Sequence, residues 1–381
     1  MQTHSDFIEL VDRYDYSDIE NRTFISLYHS SVLAVTMAPW LDLPYEIRDV
    51  TAEEDKVIKK CLIGYTKPFV KCGEKQYVMP GAFRKHAEAI YNMQVRPDDI
   101  WVITFPRSGT TWTQEMVWLI ENELDYKGAK ERSLFERFPM LEITALIPEL
   151  AFDLIRINFM NLAYFQGLNQ AARVPSWKTI EDAPSPRFIK THLPLSLLPP
   201  NLLSTAKVIY VARDPRDVAV SYYYLHKMVI KTLMRATFNH FWDAFRKDLL
   251  PWTPIIEHTN EAWKLRHNEN LHFLFYEDMI KDLPKTIRGV CNFLNRDYSE
   301  DQVRFLASHL SFHNLRKNKA VNNTTTENNE IQFIRKGEAG GWRTHFDAKM
   351  EVQAENFLCT RLHYLDLAYP SIAVDIEETR L

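Results

Sequence analysis

Ile100-Trp101-Val102-Ile103-Thr104-Phe105 runs without a break into Pro106-Arg107-Ser108-Gly109-Thr110-Thr111-Trp112. The apolar, β-branched run predicts a buried strand. Trp112, Met116, Ile120 and Leu124 then recur on one face of a helix, so the stretch reads as strand, tight turn, helix. Such a turn aims successive backbone N–H groups and the positive end of a helix at one point, and Arg107, Thr110 and Thr111 add donors there. An anion is expected at that point. The structural alternative is a connection in which Gly109 supplies an unusual dihedral and the threonines cap a helix. The turn is not a Walker A loop, because G-x-x-x-x-G-K-[ST] does not occur, and a nucleoside triphosphatase is disfavoured.

Working outward, three more runs look like buried parallel strands: Arg187 to Thr191, Lys207 to Val211 and Leu271 to Phe275. They alternate with helical patterns, which predicts an α/β fold with a central parallel sheet flanked by helices in three layers. Asp214 as cap, Pro215 at the first helical position and Asp217 in the first turn mark a helix start after Val211. Ser299 and Gln302 form a capping-box pattern before Val303, Phe305, Leu306 and Leu310. Four of the ten glycines fall in the opening turn or in Arg335-Lys336-Gly337-Glu338-Ala339-Gly340-Gly341-Trp342. This second segment also reads as a phosphate holder. The polar tract from Asn318 to Gln332 before it lacks an apolar face and reads as a mobile loop, placed to act as a lid.

Residues 1–43 lack a sustained period and read as an N-terminal extension, partly disordered. Residues 44–381 read as a single domain, with no linker composition and no internal repeat. At 381 residues with 46% hydrophobic and 13% aromatic content, the chain can bury a large core. A net charge of -4 and a pI near 6.4 offer nucleic acid or an anionic membrane no overall attraction, so an anion site must be built locally from clustered Arg and Lys. Cys61, Cys72, Cys291 and Cys359 lie far apart with no C-x-x-C pair, and no H-E-x-x-H occurs; neither a zinc site nor a disulfide framework is indicated. The apolar stretch Thr23 to Trp40 is broken by Tyr28-His29-Ser30-Ser31 and preceded by acidic residues, unlike a secretory segment. A cytoplasmic protein is expected, its Asn21, Asn322 and Asn323 sequons free of glycan.

Lys190-Thr191-His192-Leu193-Pro194 ends the second parallel strand, at the carboxyl edge where open α/β sheets place their ligands. A histidine there is well placed to be a base, although alone a strand-end histidine is more often just a hydrogen-bonding group; the company of Lys190 and the phosphate turn gives it weight. Arg213 stands at the edge of the third strand and Ser221 two turns into the following helix, so a phosphate could bridge them; the alternative pairs Arg213 with Asp214 or Asp217 as a structural ion pair.

Together these segments, in this order from about Tyr91 to Tyr369, resemble the cytosolic sulfotransferase family, whose fold is P-loop-like and whose phosphosulfate loop is usually Pro-Lys-Ser-Gly-Thr-Thr-Trp. The resemblance implies transfer of a sulfuryl group from 3′-phosphoadenosine 5′-phosphosulfate to the hydroxyl of a small hydrophobic acceptor, with no metal. It implies that Arg107, Ser108, Gly109, Thr110, Thr111 and Trp112 hold the 5′-phosphosulfate. Arg213, Ser221, Arg335, Lys336 and Gly337 would grip the 3′-phosphate. Trp112 and Phe312 would stack on the adenine, with Tyr276 near the purine. His192 would be the base, and Lys190 with Arg107 would stabilise the leaving phosphate oxygen. Electrostatics agree with this: several negative charges within about one Debye length, ~8 Å, need several convergent cations.

Three departures stand out. Arg107 replaces the loop lysine, and a guanidinium cannot give up a proton. Gly341 and Leu310 stand where the family has Asp and Thr. The usual dimer segment after Trp342 is replaced by Asp347-Ala348-Lys349-Met350-Glu351, which leaves the oligomeric state open. An apolar insertion at about 148–177, rich in Leu, Ile and Phe, reads either as an extra core helix or as a lid over a hydrophobic acceptor. With Arg107 it makes the chain similar to the retinol dehydratase branch known from insects, which implies an alternative outcome: a lyase acting through a transient sulfate ester. A third reading, from the lost lysine, is a nucleotide-binding protein without turnover.

Overall fold

The computed structural model describes residues 40–62, 64–147, 174–229, 236–322 and 337–372. Four parallel strands form the central sheet: β4 (Ile100–Thr104), β5 (Phe188–Thr191), β6 (Lys207–Ala212) and β7 (Leu271–Phe275). Their spatial order is β5-β4-β6-β7, with Val102 opposite Lys190 on one side and Ile209 on the other. Each strand was expected within one residue of where it lies. Arg187 stands just before β5, its carbonyl still accepting from the Ile100 N–H at 2.9 Å and its guanidinium paired with Asp99 at 2.5 Å, nearly closed to solvent.

The layering follows from the period of two along β4. Ile100 and Val102 face a cluster with Trp112, Met116, Ile287 and Val290, which come from α2 (Thr110–Glu121) and α9 (Leu283–Phe293). Trp101 and Ile103 face a second cluster with Phe241, Phe245 and Ile256, from α6 (Phe238–Arg246) and α7 (Ile255–Lys264). Both faces of the strand are closed to solvent, which explains why its sequence is a continuous apolar run. Helix, sheet, helix is the expected three-layer arrangement.

The chain builds a second, antiparallel sheet that periodicity did not disclose: β1 (Ile47–Asp49), β2 (Val70–Cys72) and β3 (Tyr77–Met79). Each strand is three residues long, too short to display an alternation. Between β1 and β2 runs α1 (Ala52–Cys61), opened by a Thr51–Glu54 capping box and tied to β2 by the Glu54–Lys71 ion pair at 2.6 Å.

Four boundaries are adjusted. The apolar face of α2 stops at Glu121, and Leu124 lies beyond it in a left-handed conformation, its N–H donating to the Leu119 carbonyl. The tract beginning at Asn318 is not loose at its start: Val321 and Asn322 are buried, Asn322 donates to the Arg316 carbonyl, and the Ala320 carbonyl caps Leu134 at 2.8 Å. Residues 323–332 lie outside the described residues. So do 148–173 of the apolar insertion, but its end is anchored: Ser176, which opens α4 (Ser176–Glu181), donates to the Leu141 carbonyl, and Trp177 donates to His86. Likewise the last residues assigned to the extension are held, Leu41 by Asn92 and Leu43 by the core.

Helix caps fall where expected. Asp214 accepts from the Arg216 N–H at the head of α5 (Pro215–Val229), and Ser299 and Gln302 close the box on α10 (Glu300–His309). Asp214 pairs with Arg216 at 2.7 Å, whereas Arg213 stands 3.8 Å from Asp217.

Candidate active site

Because β5 and β6 flank β4, the chain reverses its order in the sheet beside β4, and the carboxyl ends of these three strands open on one crevice. The Pro106–Gly109 turn, His192 and Arg213 all stand there by connectivity. In the turn, Arg107 has φ 72° and Gly109 φ 112°. A non-glycine residue in the left-handed region costs roughly 1–2 kcal/mol, so Arg107 holds a conformation its side chain does not favour. Gly109 has no substitute: a Cβ there would lie 2.9 Å from the Tyr276 ring. Ser108 is buried and its hydroxyl has no hydrogen-bond partner among the described residues. Thr110 and half-buried Thr111 begin α2, and the Thr110 hydroxyl lies 2.7 Å from that of Thr104.

His192 is buried one residue past β5. Its Nδ1 lies 2.8 Å from the Thr104 carbonyl oxygen, which can only accept, so Nδ1 carries the proton and Nε2 the lone pair. Burial, with the charges of Lys190, His258 and Arg107 beside it, holds its pKa well below the usual histidine range, against the raising effect of the Thr104 bond. The ring is neutral at pH 7. Its backbone N–H donates to Glu142 at 2.8 Å, and its carbonyl accepts from His258 at 2.9 Å.

Glu142 was not singled out in the sequence. The segment Pro139–Leu141 runs beside β5, exchanging backbone bonds with Lys190, and this sets the wholly buried Glu142 carboxylate over Thr191 and His192. Burial raises its pKa. Lys190 is partly buried, its ammonium 5.5 Å from the centre of the Phe135 ring. Desolvation brings its pKa down to about 8, with Arg107 adding to the fall and Glu142 opposing it.

The structure ties the turn to the Arg213 edge. Arg107 Nε donates to the Ser221 hydroxyl at 3.0 Å, while the Arg107 carbonyl accepts from Arg213 at 3.2 Å. Arg213 also donates to the Glu338 carbonyl, lies 4.2 Å over the Tyr276 ring, and leaves its buried Nε without a partner among the described residues. Asp217 receives the N–H groups of Gly340 and Trp342 at 2.7 and 2.9 Å, fastening the late glycine segment to α5. Gly337, φ 71°, touches Phe312 so closely that a Cβ would fall 2.2 Å from its ring. Trp112 and Phe312 meet edge to face at 4.9 Å, with Tyr276 at 5.8 Å from Trp112. Arg335 and Lys336 lie outside the described residues.

Thus Arg107 to Trp112, Lys190, His192, Arg213, Ser221, Tyr276, Phe312 and Gly337 gather about the carboxyl ends of the strands. Sequence reading missed Thr104, Glu142, His258 and Trp252, whose ring stands 5.4 Å from His192. Only Thr104, as the last residue of β4, carried a positional signal.

The buried hydroxyl of Ser108 and Nε of Arg213, unpaired beside a helix start, form a donor set suited to phosphate-type oxygens. Residues 97–365 match the family described as Sulfotransferase domain. The chain belongs to the sulfotransferase family. It is accordingly a sulfuryl-transferring enzyme whose donor is 3′-phosphoadenosine 5′-phosphosulfate. Among relatives, it is 36% identical to luciferin sulfotransferase of Photinus pyralis over 262 residues, 68% of this chain and 67% of the other. It is 33% identical to sulfotransferase 1A1 of Canis lupus familiaris over 270 residues, 69% and 83% of the two chains. The structure superposes on that of retinol dehydratase in complex with retinol and PAP with a TM-score of 0.80 and 42% identity, covering 87% of this chain and 100% of that one. Among the described residues no helix is long and apolar enough to cross a membrane, and no group of His, Cys, Asp or Glu is placed to hold a metal.

Proposed function

We propose that this enzyme sulfates the hydroxyl of a small hydrophobic acceptor, a phenol, a steroid or an alcohol, with His192 as the general base. One observation carries this reading: the Thr104 carbonyl fixes the proton of His192 on Nδ1 and leaves the Nε2 lone pair for the acceptor hydroxyl. When bound, the donor nucleotide supplies an activated sulfuryl group on a phosphate leaving oxygen. The residues around it then have three tasks. The Arg107–Trp112 turn holds the 5′ end by its N–H groups and the Ser108 hydroxyl. Lys190 and Arg107 place positive charge where the leaving oxygen gains its negative charge, preorganised rather than recruited. Arg213 and Ser221, with Arg335, Lys336 and Gly337, grip the 3′-phosphate, while Trp112, Phe312 and Tyr276 form the purine wall. Residues 41–381 act as one catalytic domain, with the residues before Leu41 an extension and the apolar insertion at about 148–177 part of the domain. Cytoplasmic residence belongs to the same reading and is supported by the resemblance to cytosolic sulfotransferases.

A second reading has a specific support, the 42% identity to retinol dehydratase across the whole of that chain. It takes the same first step and then eliminates the sulfate. Incubating the full chain with donor and a panel of phenols, steroids and retinol, followed by mass spectrometry, separates the two. An accumulating ester supports sulfation. An anhydro product with free sulfate establishes the second reading instead, and nucleotide binding with no product from any acceptor sinks both in favour of a non-catalytic binder.

A further inference from the structure

His192 stands one residue beyond the end of β5, so neither its backbone N–H nor its carbonyl has a partner in the strand ladder. Both are buried, and buried backbone groups must be paired. The N–H is taken by Glu142. The carbonyl is taken by a second histidine, His258, whose Nε2 lies 2.9 Å from it. His258 is fully closed to solvent on α7, ringed by Tyr77, Phe105 and Tyr210 at 6.2, 5.7 and 5.8 Å.

A carbonyl oxygen cannot donate, so His258 carries its proton on Nε2 and its Nδ1 is bare. That nitrogen meets the Tyr210 hydroxyl at 2.7 Å, closer than the His258 carbonyl at 3.1 Å, and Tyr210 is therefore the donor to it. The chain of bonds runs Tyr210 O–H to His258 Nδ1, His258 Nε2–H to His192 carbonyl, and His192 Nδ1–H to the Thr104 carbonyl. It joins β6, α7, the end of β5 and the end of β4 through one base. Tyr210 lies three residues before Arg213 on the same strand exit, and Thr104 three before Arg107, so both anion-binding edges are tied to the same imidazole.

From this geometry we infer that His258 is a positioning residue for the reaction, holding the His192 backbone so that Nε2 of His192 faces the acceptor. It touches neither nucleotide nor acceptor and acts only through His192. The inference rests on the reading of His192 as base, and its test is built so that the two fail separately. Reacting groups displaced by about 1 Å lose as much as ~10²-fold in rate, which sets the scale of the effect.

The experiment compares His258→Gln, His258→Phe, Tyr210→Phe and His192→Ala in the full chain. A glutamine amide can still donate to the His192 carbonyl; a phenyl ring keeps shape without the donor. His258→Phe should lower kcat by roughly 10- to 100-fold with the nucleotide KM nearly unchanged. His258→Gln should recover most of that loss, and Tyr210→Phe should fall between. Wild-type kcat in a folded His258→Phe, or a folded His258→Gln as slow as His258→Phe, overturns the inference. Should the phenylalanine variant not fold, nitrogen-15 NMR of the imidazoles in the wild-type protein decides. His258 must show a protonated Nε2 and a bare Nδ1 near pH 7, and the reverse tautomer overturns the inference. Undiminished turnover in His192→Ala would instead remove the base reading, leaving the His258 tautomer as an independent measurement.

Discussion

Removing the Arg213 side chain tests the joint between the phosphate turn and the late glycine segment. Arg213 donates to the carbonyls of Arg107 and Glu338, covers Tyr276, and holds a buried Nε in reserve. A charge-assisted hydrogen bond contributes about 1.5–3 kcal/mol, so losing one such contact to a 3′-phosphate weakens nucleotide binding by roughly 10- to 100-fold. With 3′-phosphoadenosine 5′-phosphate at ~100 times the wild-type Kd, binding stabilises the native state by about 2.7 kcal/mol; at the same concentration a 100-fold weaker variant gains only about 0.4 kcal/mol. For a folded unit of roughly 340 residues the unfolding entropy is about 0.7 kcal/mol/K, so the shift in Tm falls from about 4 °C to under ~1 °C. The measurement is differential scanning calorimetry with and without nucleotide, each variant against its own ligand-free baseline, which separates lost binding from the lost internal bonds. Arg213→Lys, keeping charge without the planar fork, should recover part of the shift. A wild-type nucleotide shift in Arg213→Ala would refute the placement of the 3′-phosphate and with it the convergence of the three strand ends on one ligand.

His192→Ala should lower kcat on the order of 10²- to 10⁴-fold with nucleotide affinity preserved, read from initial rates and calorimetric titration; an unaltered rate removes it from the chemistry. Lys190 assists only while charged, and its pKa is brought down to about 8 by burial. The rate should therefore decline as pH rises through about 8, and Lys190→Arg, which stays protonated, should lose that alkaline limb. The same depression means that the unfolded chain holds more protons than the folded one between about pH 8 and the ordinary lysine value, so this group makes stability rise with pH there, as denaturant midpoints at pH 8 and 10 would check. Gly337→Ala places a methyl 2.2 Å from the Phe312 ring at a left-handed φ. It should push Phe312 off Trp112 and weaken nucleotide binding by about 10-fold or more, while the left-handed φ costs ~1–2 kcal/mol of stability in the free and bound forms alike; unchanged affinity by calorimetric titration would show that this aromatic wall is not part of the nucleotide site.

What the linear chain determined by itself is what local rules can carry. The run Ile100–Thr104 declared a doubly buried strand because no polar residue interrupts it, and the Arg107–Gly109 turn with its threonines carried the expectation of an anion site. The caps at Asp214 and Ser299 follow from hydrogen bonds spanning two or three residues, the range over which sequence spacing is a geometric statement. The strands β1 to β3 escaped because three residues cannot show a period. What only the tertiary structure decided is which distant groups meet. Glu142 lies 50 residues from His192 and His258 lies 66 away, yet both bind its backbone, and nothing in the spacing of either announces it. The protonation of His192 is of the same kind: its tautomer belongs to the Thr104 carbonyl, and its lowered pKa to burial and to the charges of Lys190 and Arg107. A residue type can be read from the chain, but its charge state and the direction of its lone pair are properties of the neighbours that folding supplies.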